Sequence, residues 1–203
     1  MRSVSSLWTL GAFGALLCSA PRPARAEDDP RGHRGLFVAF SPSVTGARAV
    51  DDAGRDTPTL FANGGWFRLG EEVVDGLTLG LEFGGLGGQG SDFSASLGGF
   101  TLQATWRPSV LSERLVLLVG AGVGGVGLTP EDADVSPAQP KGSGGGALLQ
   151  AGAHYELDLF GTPREGFAFG PAVHAYWVPD TADNPVTLAA LSLGLEAAWY
   201  FGR

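Results

Sequence analysis

Cysteine is all but missing: Cys18 is the single one, and it falls within the first 26 residues. If that segment is removed, the chain carries no disulfide, no thiolate metal site and no cysteine nucleophile. Long apolar runs are also lacking. Beyond Ala26 no stretch reaches the roughly 18–20 apolar residues of a membrane-spanning helix, and none repeats at i, i+3, i+4 and i+7. Basic charge is scarce as well. Without Arg2, Arg22 and Arg25, 10 basic residues stand against 21 acidic ones, a net charge of −11. That balance argues against nucleic acid as a partner.

The first 26 residues have the layout of a secretory signal: basic Arg2, an apolar run from Leu7 to Leu17, then Pro21 to Ala26 ending in Ala24-Arg25-Ala26. Small residues at both ends of that triplet suit signal peptidase, so cleavage is expected after Ala26. Ala15-Leu16-Leu17 before Cys18 lacks the small residue that precedes the cysteine of a lipoprotein signal. The expected division is a signal peptide over 1–26, a short lead over 27–34 and one domain over 35–203.

What fills that domain is alternation. The full chain has 33 glycines, and within this domain apolar residues recur at every second position, which sets them on one face of a strand. Leu191, Leu193, Leu195, Ala197, Trp199 and Phe201 alternate with Ser192, Gly194, Glu196, Ala198 and Tyr200. Leu77, Leu79, Leu81 and Phe83 do the same against Thr78, Gly80, Glu82 and Gly84. Leu115 to Val123, Leu149 to Leu157 and Phe167 to Trp177 repeat the pattern. Around Gly98-Gly99 the phase slips, from Phe93, Ala95 and Leu97 to Phe100, Leu102, Ala104 and Trp106, as a β-bulge would require. Residues 35–45 and 58–69 complete the set, the second ambiguous because Trp66 and Phe67 are adjacent.

About eight strands of ten or more residues, even in number, match a barrel that crosses a bilayer and returns both ends to one side. The expectation is all-β: an eight-stranded antiparallel up-and-down transmembrane β-barrel. With the N-terminus inside, the outer connections are 46–57, 87–92, 129–143 and 179–185, and the inner ones 70–75, 107–113 and 161–165. Long outer and short inner connections are the usual arrangement. Trp66, Trp106 and Trp199, joined by Phe67, Phe160, Phe167 and Phe201, are expected in a ring at the inner interface, with Trp177 at the outer one.

This pattern, closed by Trp199-Tyr200-Phe201, resembles the superfamily of small outer-membrane β-barrels of OmpA, OmpX and OmpW type. Gly202 and Arg203 after the last aromatic depart from the usual final strand. The resemblance implies the cell outer membrane of a Gram-negative bacterium, surroundings of outer-membrane lipid and lipopolysaccharide, insertion by the barrel assembly machinery, and a monomer. It also raises an enzyme alternative, because a few such barrels modify lipid A with serine and histidine.

Candidate site residues lie on the polar faces. Arg68, Glu82, His154, Glu156, His174 and Glu196 are expected in the lumen, where buried charge must be paired or wet. A structural network is the reading they support; no metal, cofactor or catalytic residue is assigned. Gly120, Gly122 and Gly125 spell G-x-G-x-x-G, but no helix follows to receive a pyrophosphate. No serine occupies the neighbouring same-face positions of either histidine's strand; Ser192 or Ser96 could approach from other strands, but nothing in the sequence requires it, so no nucleophile–base pair is evident. Acidic residues in the outer connections, Asp51, Asp52, Asp56, Glu131, Asp132, Asp134, Asp180 and Asp183, lack the glycine turn and ligand order of a calcium loop. The expected role is structural or surface interaction, with a narrow solute channel as the alternative and a lipid A-modifying enzyme third.

Overall fold

The structure, a computed structural model, describes residues 35–89, 93–108, 114–130, 142–161, 165–181 and 185–201. The signal peptide, the lead, Gly202, Arg203 and the acidic residues Glu131, Asp132, Asp134 and Asp183 lie outside them. Nine strand segments are present: β1 Leu36–Asp51, β2 Leu60–Val74, β3 Leu77–Gln89, β4 Phe93–Trp106, β5 Leu115–Pro130, β6 Gly142–Tyr155, β7 Leu157–Gly161, β8 Gly166–Val178 and β9 Val186–Phe201. Each pairs antiparallel with its neighbour in the wall, and β9 returns to β1 to close the sheet. The segments β6 and β7 both pair with β8, one following the other along it. Between them the amide of Glu156 donates to the carbonyl of Arg114 at 2.8 Å on the opposite side. They are therefore one stave of the wall, and the molecule is a closed eight-stranded antiparallel barrel. No helix long and apolar enough to cross a membrane occurs among the described residues; crossing by strands is a separate matter.

The alternation read from the sequence sets the two faces of the wall. Leu191, Leu193, Leu195, Trp199 and Phe201 point outward and are exposed, while Ser192, Glu196, Ala198 and Tyr200 point inward and are buried. An apolar exterior over a mixed interior inverts the rule for a water-soluble protein and fits a hydrocarbon surround.

Two expectations of phase are corrected. The slip at Gly98-Gly99 is not a bulge: β3–β4 and β4–β5 keep one register throughout, with Gly85↔Gly98 and Gly84↔Gly99 as ordinary partners. Phe93, Ala95 and Leu97 point inward and are buried, and Phe100, Leu102 and Trp106 point outward. The apolar phase changes because the interior itself changes, from polar in its inner half to apolar in its outer half. Trp66 is the second correction. It faces the lumen with Arg68, buried to 1 % exposure and stacked on Tyr176 at a centroid distance of 4.9 Å, so it belongs to no interfacial ring.

Of the predicted inner aromatic ring, Phe160, Phe167, Trp199 and Phe201 form one external cluster, with centroid distances of 5.2–6.4 Å between neighbours. Trp106 and Trp177 are exposed at strand ends as expected. Phe67 instead joins an external row with Phe40 and Phe83, at 4.6 and 5.7 Å.

The strands also outrun the expected connections. β1 continues to Asp51, β2 to Val74 and β5 to Pro130, leaving a two-residue inner turn at Asp75-Gly76. Ladder hydrogen bonds do not require an apolar outer side chain, so pairing persists beyond the lipid-facing band. Irregular pairing falls between Glu72 and Val74 and between Asp158 and Phe160.

Glycine serves the interior at specific places. A Cβ on Gly84 would stand 2.3 Å from the Gly65 carbonyl oxygen and 3.1 Å from the Trp66 ring, and one on Gly99 would meet Leu148 at 2.7 Å. Those inward glycines make the hollows that Trp66 and Leu148 fill. A methyl group on the outward glycines of the next register row, Gly98, Gly125 and Gly145, would meet no atom within 3.4 Å, so packing does not require glycine there.

Candidate functional site

All six residues picked from the sequence, Arg68, Glu82, His154, Glu156, His174 and Glu196, point into the lumen and are buried. Alternation places them there: each sits on the inward phase of its strand, Arg68 on β2, Glu82 on β3, His154 on β6, His174 on β8 and Glu196 on β9. Glu156 occupies the break between β6 and β7.

Four of them form one ionic floor in the inner half. The Arg68 guanidinium donates to Glu196, both groups withdrawn from solvent. His154 Nε2 lies 3.1 Å from Glu196 Oε1 and 3.2 Å from Glu156 Oε1, bridging the two carboxylates. Arg107 donates to both oxygens of Glu156 at 3.2 Å and to the Tyr200 hydroxyl at 2.8 Å, and that hydroxyl donates to Glu156. Arg68 also lies 5.5 Å over the Phe37 ring and Arg107 5.5 Å over Tyr200. Buried charges are tolerated only in such company.

Glu82 faces Arg68 across the β2–β3 ladder and is 0 % exposed. Its carboxylate lies near the side-chain amides of Gln103 and Gln150, without a hydrogen bond of ordinary geometry to either oxygen. His174 stands apart from the ionic floor. Its Nδ1 is 3.0 Å from the Tyr176 hydroxyl and 3.4 Å from Gln150 Nε2. Gln150 is the hub of this neutral layer: its Oε1 accepts from Gln103 at 2.8 Å and from Thr101 at 3.3 Å.

Above the polar layers the lumen is apolar. Leu60, Trp66, Leu86, Phe93, Leu97, Val126, Leu128, Leu148, Tyr176, Val178, Val186 and Leu188 pack into one buried cluster. Trp66, Leu148, Val178, Val186 and Leu188 are each at most 2 % exposed. Solvent does not reach these side chains, so the outer half of the lumen is filled.

Sequence reasoning missed Arg107, Tyr200, Gln103 and Gln150. The signal for each was present as phase: Arg107 follows outward Trp106, and Tyr200 sits four residues from Glu196 on one face of β9. Arg107 falls in the expected inner connection 107–113, and Tyr200, although on the face that carries Glu196, reads as part of the aromatic terminus. The nucleotide-like glycines Gly120, Gly122 and Gly125 all lie within β5. Ser192 and His174 are partners across β8–β9. Even so, the Ser192 hydroxyl pairs with that of Thr45 at 2.6 Å and His174 with Tyr176, so no nucleophile–base pair is assembled there.

At the outer tip two of the predicted acidic residues, Asp51 and Asp56, are paired with arginine. Asp51 accepts from the amides of Ala53 and Arg55 at 3.0 and 2.9 Å and pairs with the Arg55 guanidinium at 2.6 Å. Arg48 pairs with Asp56. An outward-facing charged Arg48 ends the apolar outer band on β1, and this tip lies beyond that band. There burial raises the Asp51 pKa, but the hydrogen bonds and charge of Arg55 and the Ala53 amide outweigh it and hold the carboxyl below its ordinary value. A shallow recess of about 710 Å³ also opens on the outer wall near the rim, lined by Phe61, Asn63, Gly87, Gln89, Ser96 and Thr129 among others, and contains none of the predicted site residues.

No protein-family model matches the chain, and no curated protein matches it in sequence. Solved structures do match in fold. Neisserial surface protein A is similar with a TM-score of 0.51 at 12 % identity, over 83 % of this chain and 100 % of that one. Ail, the attachment invasion locus protein of Yersinia pestis, is similar with a TM-score of 0.50 at 13 % identity, over 81 % of this chain and 99 % of that one. The chain thus has the fold of the small eight-stranded outer-membrane barrels.

Proposed function

We propose that the chain is an integral outer-membrane barrel with a sealed lumen, whose role is structural or one of interaction at the cell surface. The observation that carries this reading is the filled interior: an apolar plug around Trp66, Leu148 and Leu188 above an ion-paired floor around Arg68, Glu196 and Glu156. Eight strands enclose a space that side chains can fill, and here they do. A solute channel would need a wet path through the plug, and a lipid A-modifying enzyme would need a reactive pair open to lipid. Neither reading has a supporting contact among the described residues.

The surroundings follow from the outer face. Exposed leucine, valine and phenylalanine around the wall suit outer-membrane lipid, with lipopolysaccharide against the outer end. Closure of β9 on β1 removes the long open edges of the sheet and leaves only the short β7 paired on one side among the described residues, which favours a monomer. The final strand, ending in Trp199, Tyr200 and Phe201, is the segment proposed to meet the barrel assembly machinery. Fractionation tests the reading: the mature protein should sediment with the outer membrane and run faster on a gel before boiling than after. Recovery as a soluble periplasmic protein would overturn it.

A further inference from the structure

Three ligand atoms converge in the ionic floor. His154 Nε2, Glu156 Oε1 and Glu196 Oε1 all lie within 4.8 Å of one another, and all three residues are buried. The nitrogen is 3.1 and 3.2 Å from the two oxygens. Tetrahedral zinc bound at about 2.0–2.1 Å to nitrogen and oxygen sets its ligands about 3.3 Å apart. The two nitrogen-to-oxygen spacings match that edge to within a few tenths of an ångström, and the oxygens lie within 4.8 Å of each other.

Two further features concern charge, and neither depends on that spacing. The buried floor holds two guanidinium groups, Arg68 and Arg107, against three carboxylates, Glu82, Glu156 and Glu196. With His154 neutral, the carboxylates outnumber the guanidinium groups by one, in a place where uncompensated charge is costly. The two oxygens that face the imidazole already accept from Arg68, Arg107 and Tyr200, but Glu196 Oε2 and both oxygens of Glu82 have no hydrogen-bond partner although these residues are at least 98 % withdrawn from solvent.

We propose that His154, Glu156 and Glu196 bind one divalent transition-metal ion of the zinc class, using one imidazole and two carboxylates with a water in the fourth position. Nitrogen and carboxylate ligands in this mixture suit zinc or cobalt and not calcium or magnesium, which take oxygen alone. The ion replaces the proton on His154 Nε2 as the bridge between β6, the β6–β7 break and β9. The ion stabilises the barrel from within and does not require a surface partner, so the site is independent of the proposed surface role.

The test refolds the mature chain into phosphatidylcholine vesicles with Co²⁺ present, removes unbound ion and reads visible absorption and metal content. One Co²⁺ per chain with tetrahedral bands is expected. His154→Gln and Glu196→Gln, checked for folding by gel mobility, should weaken retention at least about 10- to 100-fold, the scale of disturbing a metal site. His154→Cys places a single thiol in a chain otherwise without one after the signal, and should add a sulfur-to-cobalt charge-transfer band. That band reports position even if the glutamine variants fail to fold. Folded wild type without bound ion would overturn the proposal and leave a proton as the missing charge. Equal retention by folded His154→Gln, or no charge-transfer band in cobalt-loaded His154→Cys, would overturn it as well.

Discussion

Replacing Arg68 with methionine isolates the energetics of the lumen floor. Arg68 is paired with Glu196 and stands opposite Glu82, and all three are at most 3 % exposed. Methionine keeps the aliphatic part of the side chain and removes the guanidinium, with its charge, its hydrogen bonds and its place over the Phe37 ring. Two unit charges about 4 Å apart interact by about 4 kcal/mol at an effective dielectric of 20. Breaking a buried pair by deleting one partner costs about 3–5 kcal/mol, because the other charge stays behind. The expected destabilisation of Arg68→Met is therefore about 3–5 kcal/mol. The double variant Arg68→Met/Glu196→Gln should recover at least about 2 kcal/mol, since the stranded charge is then gone as well. Urea unfolding of the refolded barrel in vesicles, followed by tryptophan fluorescence and by gel mobility, measures both. A loss below about 1 kcal/mol for the single variant, the value of a solvated pair, would refute the buried-floor reasoning.

Two glycines three residues apart on β5 should answer differently to the same methyl group. Gly122→Ala places a Cβ 1.9 Å from the Phe100 carbonyl oxygen and should cost at least about 1–3 kcal/mol, whereas Gly125→Ala, with its nearest atom at 3.7 Å, should leave urea stability almost unchanged. Trp66→Ala removes the stack on Tyr176 and the largest side chain of the plug. It should cost about 3–5 kcal/mol in the same titration, and an unchanged midpoint would place Trp66 elsewhere. At the outer tip the lowered pKa of Asp51 gives stability that is complete above the ordinary aspartate value, about 3.9, and is lost as pH falls through the still lower folded value. Amide exchange of Arg55 and Gly54 should therefore stay slow down to about pH 4 and quicken below it, while Asp51→Asn should quicken it at neutral pH.

The parts of this fold legible in the sequence are those where the two faces of a strand contrast. An apolar outer face and an ionic floor inside make β9 read unambiguously from Leu191 to Phe201, and the same contrast places Glu82, His154 and Glu196 inside. Contrast fails where the lumen turns apolar. Phe93, Ala95 and Leu97 then look like an outward face, and a change in the interior reads as a slip in the backbone. Trp66 and Phe67, apolar on both faces, carry no phase signal at all, and only the stack on Tyr176 and the hollow at Gly84 reveal which one is inside. Partnerships across the lumen are a different matter. Arg68 meets Glu196, and Arg107 meets Glu156 and Tyr200, because of the stagger with which the wall closes, a property of the whole barrel that no single strand's pattern encodes.

Planar-bilayer recording of the refolded mature protein tests the sealed lumen most directly. With Trp66, Leu148 and Leu188 filling the outer half and the ion-paired floor closing the inner half, insertion confirmed by gel mobility should give no stable unitary conductance. A reproducible ohmic step from the folded wild-type barrel would contradict the account.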